Sequence, residues 1–107
     1  MAELQQNEVH KIDQLLQVQS GAVVSRTVIN QKNGTITLFA FDAGEGLSEH
    51  AAPYNAYAQV IEGKLDVTIS GKPFSLTNGE IIIMPANQPH ALKAESAVKM
   101  LLVMIRS

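Results

Sequence analysis

Short apolar stretches separated by turn residues dominate the pattern of hydrophobic and polar positions. At 65–69, apolar side chains alternate with polar ones, and this period of two predicts a strand with one buried face. A short helical turn is predicted at 12–18. Further strands are predicted at 22–29, 35–41, 56–61, 72–76, 80–84 and 98–105. The pattern therefore indicates an all-β protein of mainly antiparallel strands, arranged as a sandwich or barrel.

Turn residues define the connections between these strands. Asn33-Gly34 is the strongest hairpin signal, because both residues tolerate positive φ angles, and it joins the strands at 22–29 and 35–41. A loop is predicted at 44–53, and it contains His50. His90 follows a second turn region that is rich in proline and asparagine.

Composition restricts the possible functions. The chain has 107 residues, of which 46% are hydrophobic and 17% charged, so we expect a single domain spanning residues 1–107. A net charge of −2 without clustered basic residues argues against nucleic-acid binding. The absence of cysteine excludes disulfides, thiolate nucleophiles and cysteine-based zinc sites. We see no signal sequence and no apolar run of about 20 residues, so a cytoplasmic location away from membranes is expected.

Two glycine-bounded segments, 44–63 and 79–94, each contain one histidine followed by an apolar stretch. They resemble the two motifs of the cupin superfamily, G(X)5HXH(X)3,4E(X)6G and G(X)5PXG(X)2H(X)3N. The matching residues are Gly44, His50 and Gly63 in the first motif and Gly79, Pro85 and His90 in the second. The resemblance is to the small single-domain cupins. It implies a jelly-roll barrel of six to eight strands at 35–105, an N-terminal extension at 1–20, and a pocket at one end of the barrel.

The sequence departs from the family at two metal-ligand positions. The second histidine of the first motif corresponds to Ala52 and the glutamate to Ala56, so only His50 and His90 remain from the four usual ligands. These two imidazoles could still bind Zn, Ni, Mn, Fe or Cu weakly, although a functional site typically needs at least three protein ligands. A third ligand could come from Glu45, Glu49, Asn55 or Gln59. Strand parity places Gln59 on the face opposite Ala56, which counts against it.

The alanines also change the expected pocket. Small side chains at 52 and 56 should widen the cavity and make it less polar, with His50 and His90 at opposite ends as polar anchors. Methionines, including Met100, suit adaptable walls. The predicted ligand-binding residues are His50, His90, Ala52, Ala56, Ala58, Met84 and Tyr54.

Three functions are compatible with these residues. The first is binding or sensing of a small organic ligand without a catalytic metal. The second is a metal-dependent enzyme of the dioxygenase or isomerase type, with His50 and His90 as ligands. The third, metal-free acid–base catalysis, needs a carboxylate–histidine dyad that the sequence does not locate. A homodimer is also expected, because the strands at 35–41, 56–61 and 98–105 are apolar on both faces.

Overall fold

The computed structural model describes residues 3–106. Within this range, a 3₁₀ turn at Ile12–Gln14 precedes nine β-strands. The strands are β1 (Val23–Gln31), β2 (Gly34–Phe41), β3 (Gly46–His50), β4 (Asn55–Glu62), β5 (Leu65–Ile69), β6 (Lys72–Leu76), β7 (Ile81–Met84), β8 (His90–Ala94) and β9 (Val98–Ile105). The predicted all-β fold and the short N-terminal turn are confirmed. Strands β2–β9 are eight in number, which agrees with the six to eight strands expected at 35–105, and β1 precedes them.

The strands form two antiparallel sheets that face each other as a jelly roll. The first sheet has five strands in the order β1-β2-β9-β4-β7, and the second has four in the order β3-β8-β5-β6. The last strand, β9, lies at the centre of the first sheet, where it pairs with β2 on one side and β4 on the other. Strands β6 and β7 are the edges of their sheets, although they follow each other along the chain.

The core lies between the sheets and follows the period of two read from the sequence. In β5, Leu65, Val67 and Ile69 are buried, as the alternation predicts. In β4, Ala56 and Ala58 face inwards, while Gln59 lies on the opposite face. The structure therefore confirms the prediction that Gln59 and Ala56 lie on opposite faces of this strand.

The N-terminal segment covers part of the outer face of the five-stranded sheet. The Lys99 ammonium donates a hydrogen bond to the Asp13 carbonyl over 2.6 Å, and the Arg26 guanidinium donates to the Leu15 carbonyl over 3.0 Å. Lys99 is opposite Ala40 in the strand register, and Arg26 is opposite Leu38. Leu38 and Ala40 lie on this outer face, whereas Phe41 belongs to the core on the inner face. Because all three are fully buried, β2 is covered on both faces, as its composition predicts.

Two details of the predicted connections are wrong. The β1–β2 hairpin forms, but its turn is Lys32-Asn33, and Gly34 already pairs with Gln31. Neither Asn33 nor Gly34 has a positive φ angle. Gly34 instead allows close approach of β9, since a Cβ atom there would lie 3.0 Å from the Met104 carbonyl oxygen.

The predicted loop at 44–53 also needs correction, because it contains strand β3, which pairs with β8. Three of the five residues of β3 are Gly, Ser and His, so no alternation of apolar side chains identifies it in the sequence. No helix in residues 3–106 is long and apolar enough to cross a membrane.

Candidate functional site

A β-bulge brings the two histidines of the glycine-bounded segments together. His50 ends β3 and His90 begins β8, and the two residues are partners in the strand register. Leu47 pairs with Leu92, so three steps along β3 correspond to two along β8. The extra residue returns His50 to the face of Leu47, although strand parity would otherwise place them on opposite faces. As a result, both side chains line one cavity.

Strand β3 can reach this position only because Gly46 has no side chain. A Cβ atom at Gly46 would lie 2.1 Å from the carbonyl oxygen of Leu92 in β8. The obstacle is backbone, so it cannot rotate away as a side chain would. Gly46 therefore sets the distance between β3 and β8, and with it the position of His50 relative to His90.

The backbone determines which ring nitrogen of each histidine stays available. The Nδ1 atom of His50 is 2.9 Å from the carbonyl oxygen of Ser48, and the Nδ1 atom of His90 is 3.3 Å from that of Gln88. A carbonyl oxygen only accepts hydrogen bonds, so each Nδ1 carries the proton. In the neutral rings, both Nε2 atoms therefore keep a free lone pair. Neither Nε2 has a hydrogen-bond partner within the described range.

The two rings are close but differ in their surroundings. Their centroids are 4.4 Å apart and their planes are inclined by 65°, so the predicted placement at opposite ends of a pocket is wrong. His50 is exposed, whereas His90 is only 7% exposed. Burial lowers the pKa of His90, the hydrogen bond to Gln88 opposes that shift, and the neighbouring His50 adds to it. We therefore expect His90 to be neutral at pH 7 and to act as a hydrogen-bond acceptor.

The cavity beside the histidines is small and apolar. Its volume is about 30 Å³, enough for one or two water molecules. The expectation of a widened cavity is therefore wrong. Besides the two histidines, it is lined by Leu47, Ala56, Met84, Leu92, Met100, Leu102 and Met104.

The strand register explains why the alanine at 56 leaves no large space. Ala56 pairs with Met84 on β7 and with Met104 on β9, so a methionine flanks it on each side. Met84 is 2% exposed, and Met100 is fully buried. Flexible, unbranched thioether side chains fill the volume that a glutamate would take at this position.

The predicted ligand-binding residues divide into two groups. His50, His90, Ala56 and Met84 line the cavity. Ala58 is fully buried deeper in the core, and Ala52 accepts a hydrogen bond from the Asn87 amide through its carbonyl. Tyr54 is half-buried and lies outside the residues that line the cavity. Met104 and Leu47 were not predicted, since only the pairing of β4 with β9 and the bulge in β3 place them here.

Other candidate ligands are engaged elsewhere. The Asn55 side chain accepts a hydrogen bond from the Ala86 amide, and Gln59 accepts one from the Tyr57 hydroxyl. Among residues 3–106, no three His, Asp or Glu side chains are grouped so that they could hold a metal ion. Glu45 and Glu49 therefore do not complete a ligand set with the two histidines.

Comparisons with known proteins agree with this architecture. A family model described as a cupin domain matches residues 37–106. A conserved protein of unknown function from Streptococcus pyogenes is 29% identical over all of this chain and 96% of its own, with a TM-score of 0.92. A cupin 2 conserved barrel domain protein from Leptotrichia buccalis is 36% identical over 87% of this chain, with a TM-score of 0.85. This chain covers only 45% of that protein.

A cupin superfamily protein from Desulfitobacterium hafniense is 21% identical over 98% of this chain and 95% of its own, with a TM-score of 0.88, and it supports the fold alone. No curated protein sequence matches. The family model covers well over half of the sequence and includes β3, β8 and both histidines. The chain therefore belongs to the cupin family.

Proposed function

We propose that this cupin binds a small organic ligand that donates a hydrogen bond to the Nε2 atom of His90 and contacts the ring of His50. The supporting observation is that two imidazoles 4.4 Å apart share one cavity while both Nδ1 atoms are bonded to backbone carbonyls. In their neutral forms the rings offer two Nε2 acceptors, which favour a hydroxyl or N–H group over a carboxylate. An apolar wall beside a few polar anchors is the usual composition of a small-ligand site.

The size of the cavity limits how such a ligand binds. A volume of about 30 Å³ accepts no more than a methyl-sized group without movement of the walls. The body of the ligand therefore rests at the mouth, against the exposed ring of His50, while its polar group reaches the buried ring of His90. Met84 and Met104 can change rotamers to admit more of the ligand, because methionine adapts to irregular spaces.

Phenol and anisole test this proposal as a matched pair, since they share a ring and differ in the hydroxyl donor. We expect phenol to shift the imidazole NMR signals of His50 and His90 saturably, with anisole at least about tenfold weaker, a difference of about 1.4 kcal/mol. His50→Gln and His90→Gln should each weaken phenol binding. His10→Gln is the control, because His10 is exposed and bonds to Gln5. Equal binding of anisole, or unchanged binding in both histidine variants, contradicts the proposal.

A metal ion is a second candidate at the same position. The donors near the cavity are two imidazoles and the thioethers of Met84, Met100 and Met104. Thioethers favour soft ions such as Cu(I), whereas Fe and Mn prefer oxygen donors, so this set fits copper better than a dioxygenase-type iron centre. Elemental analysis after incubation with Cu(I), Zn, Ni, Mn or Fe tests this alternative. Stoichiometric copper that is lost in the His50→Gln, His90→Gln double variant would support it and count against ligand binding without metal.

The proposal includes a homodimer that uses the outer face of β7, β4 and β9. Ile81 and Ile83 on β7 are 51% and 53% exposed, and Ile105 on β9 is 51% exposed. The N-terminal segment covers the β2 side of the sheet but leaves these isoleucines open. Neighbouring exposed isoleucines on one sheet face support burial against a second copy, which would present the same surface.

A further inference from the structure

A groove separate from the histidine cavity lies between the two edge strands β6 and β7. Its volume is about 580 Å³, compared with about 30 Å³ for the histidine cavity. This size is within the range of small-molecule sites. The residues used below are Ile69, Lys72, Phe74, Ile82, Pro85 and Gln88, all of which line the groove. None of them lines the histidine cavity.

The walls of the groove are apolar because they are the margin of the core. Phe74 and Ile82 are half-buried and pack against the core cluster, and Ile69 is 9% exposed. The two sheets separate at this side, since β6 and β7 have no further strand beyond them within the described residues. The groove is thus an opening between the sheets.

Lys72 occupies a core-facing position at this opening. Along the β5–β6 hairpin, Leu76 pairs with Leu65, Phe74 with Val67 and Lys72 with Ile69. The three β5 partners are all buried between the sheets. Parity therefore places Lys72 on the inner face of β6, where an apolar residue would continue the pattern.

The polar residues that line the groove are Ser70, Lys72 and Gln88, and all three are exposed. The Lys72 ammonium lies 5.4 Å from the centroid of the Phe74 ring and forms no ion pair with another side chain of residues 3–106. Gln88 accepts a hydrogen bond from the Ser70 hydroxyl through Oε1 over 3.3 Å, so its Nε2 group keeps both N–H donors. One cation and one amide donor thus stand beside apolar walls.

We propose that this groove binds an amphipathic monoanion, a molecule with an unbranched or aromatic apolar body and a single carboxylate. The body fills the space between Phe74, Ile82 and Pro85, and the carboxylate bonds to Lys72 and Gln88. Charge complementarity supports an anion, because these groups present positive charge and donors without an acidic side chain among the lining residues. Lys72 also has a structural alternative, since an inward-pointing charge protects an edge strand from pairing with another chain.

Octanoate, 1-octanol and octylammonium test the proposal, because they share a chain and differ in the charge of the head group. We expect NMR titration to shift the amide signals around Ser70, Lys72 and Gln88 most strongly with octanoate. The dissociation constants of 1-octanol and octylammonium should be at least about tenfold higher. Equal affinity for octanoate and 1-octanol would overturn the proposal, as would shifts confined to other parts of the chain.

Variants separate the roles of Lys72. Lys72→Met keeps an unbranched side chain and should weaken octanoate binding about tenfold while leaving 1-octanol binding unchanged. Lys72→Arg should restore octanoate affinity, and Lys32→Met, in the distant β1–β2 turn, should have no effect. Wild-type octanoate affinity in Lys72→Met would overturn anion binding and leave edge protection as the role of Lys72.

The His50→Gln, His90→Gln double variant distinguishes this groove from the histidine cavity. Octanoate binding should survive in that variant even if phenol binding is lost. Loss of octanoate binding there would place the anion at the histidines and overturn the groove proposal. Failure of phenol binding in the wild-type protein, with octanoate binding intact, would affect only the proposed function.

Discussion

Replacement of Met84 by alanine should open the histidine cavity at a measurable cost in stability. Met84 is 2% exposed and contacts the cavity from β7, opposite Ala56. The change removes Cγ, Sδ and Cε. At about 0.8 kcal/mol for each buried methylene-sized group, the lost transfer free energy is about 2.4 kcal/mol. The enlarged cavity adds to this loss, so we expect the free energy of unfolding to fall by about 3 to 4 kcal/mol, within the usual range for Met→Ala.

Equilibrium urea denaturation of the wild-type protein, Met84→Ala and Met84→Leu measures this cost. The leucine variant conserves most of the volume and should lose less than about 1.5 kcal/mol. All three proteins must be compared at one concentration, because a dimer links stability to concentration. The denaturant dependence should stay unchanged while the midpoint shifts.

The same variant tests the link between packing and binding. If the methionines close the cavity, Met84→Ala should bind phenol more tightly than the wild-type protein, provided that the folded state persists. A loss below about 1 kcal/mol, together with unchanged phenol affinity, would refute the conclusion that Met84 fills the space beside Ala56. Phenol affinity that rises only in Met84→Leu would refute it as well.

Three further outcomes follow from the geometry. Gly46→Ala should destabilise the protein by about 1 to 3 kcal/mol and weaken phenol binding, because its Cβ would lie 2.1 Å from the Leu92 carbonyl oxygen; denaturation and NMR titration check both effects. Burial lowers the pKa of His90, so the unfolded state binds its proton more readily. Protonation of His90 should therefore not affect the free energy of unfolding above about pH 7, and it should lower that free energy as the pH decreases through about 6.5. His90→Gln should remove this part of the pH dependence. Ile83→Glu should convert the proposed dimer to a monomer in light scattering, whereas Val9→Glu, at a 97% exposed position, should not; an unchanged mass for Ile83→Glu would contradict the dimer face.

Regular alternation made much of the fold predictable from the sequence. Strand β5 shows it in Leu65, Val67 and Ile69, and this two-residue periodicity reports directly which side chains face the core. The strand at 98–105, which coincides with β9, has no such alternation and was predicted from its continuous apolar run. The resemblance of the two glycine-bounded segments to the cupin motifs then implied the cupin fold.

The details of the site were not predictable in the same way. The bulge in β3 changes which face His50 occupies, and it is defined only by pairing with β8. The filling of the cavity depends on Met104 lying beside Ala56, a contact between residues 48 positions apart. The strand register is set only when the sheet assembles. An alanine at a position where the family motif has a longer side chain therefore does not reveal whether the space stays empty or is filled by a neighbouring side chain.

The central position of β9 has a consequence for the order of folding. The five-stranded sheet cannot close until Val98–Ile105 has left the ribosome, because this strand joins β2 to β4. Until then, the β1–β2 hairpin and β4 have unpaired edges with apolar side chains. Both edges pair with β9 through residues that lie more than 30 positions apart in the sequence. Such non-local closure is slow and leaves nascent chains prone to aggregation. Chaperone dependence during synthesis is therefore expected to decrease sharply once β9 emerges.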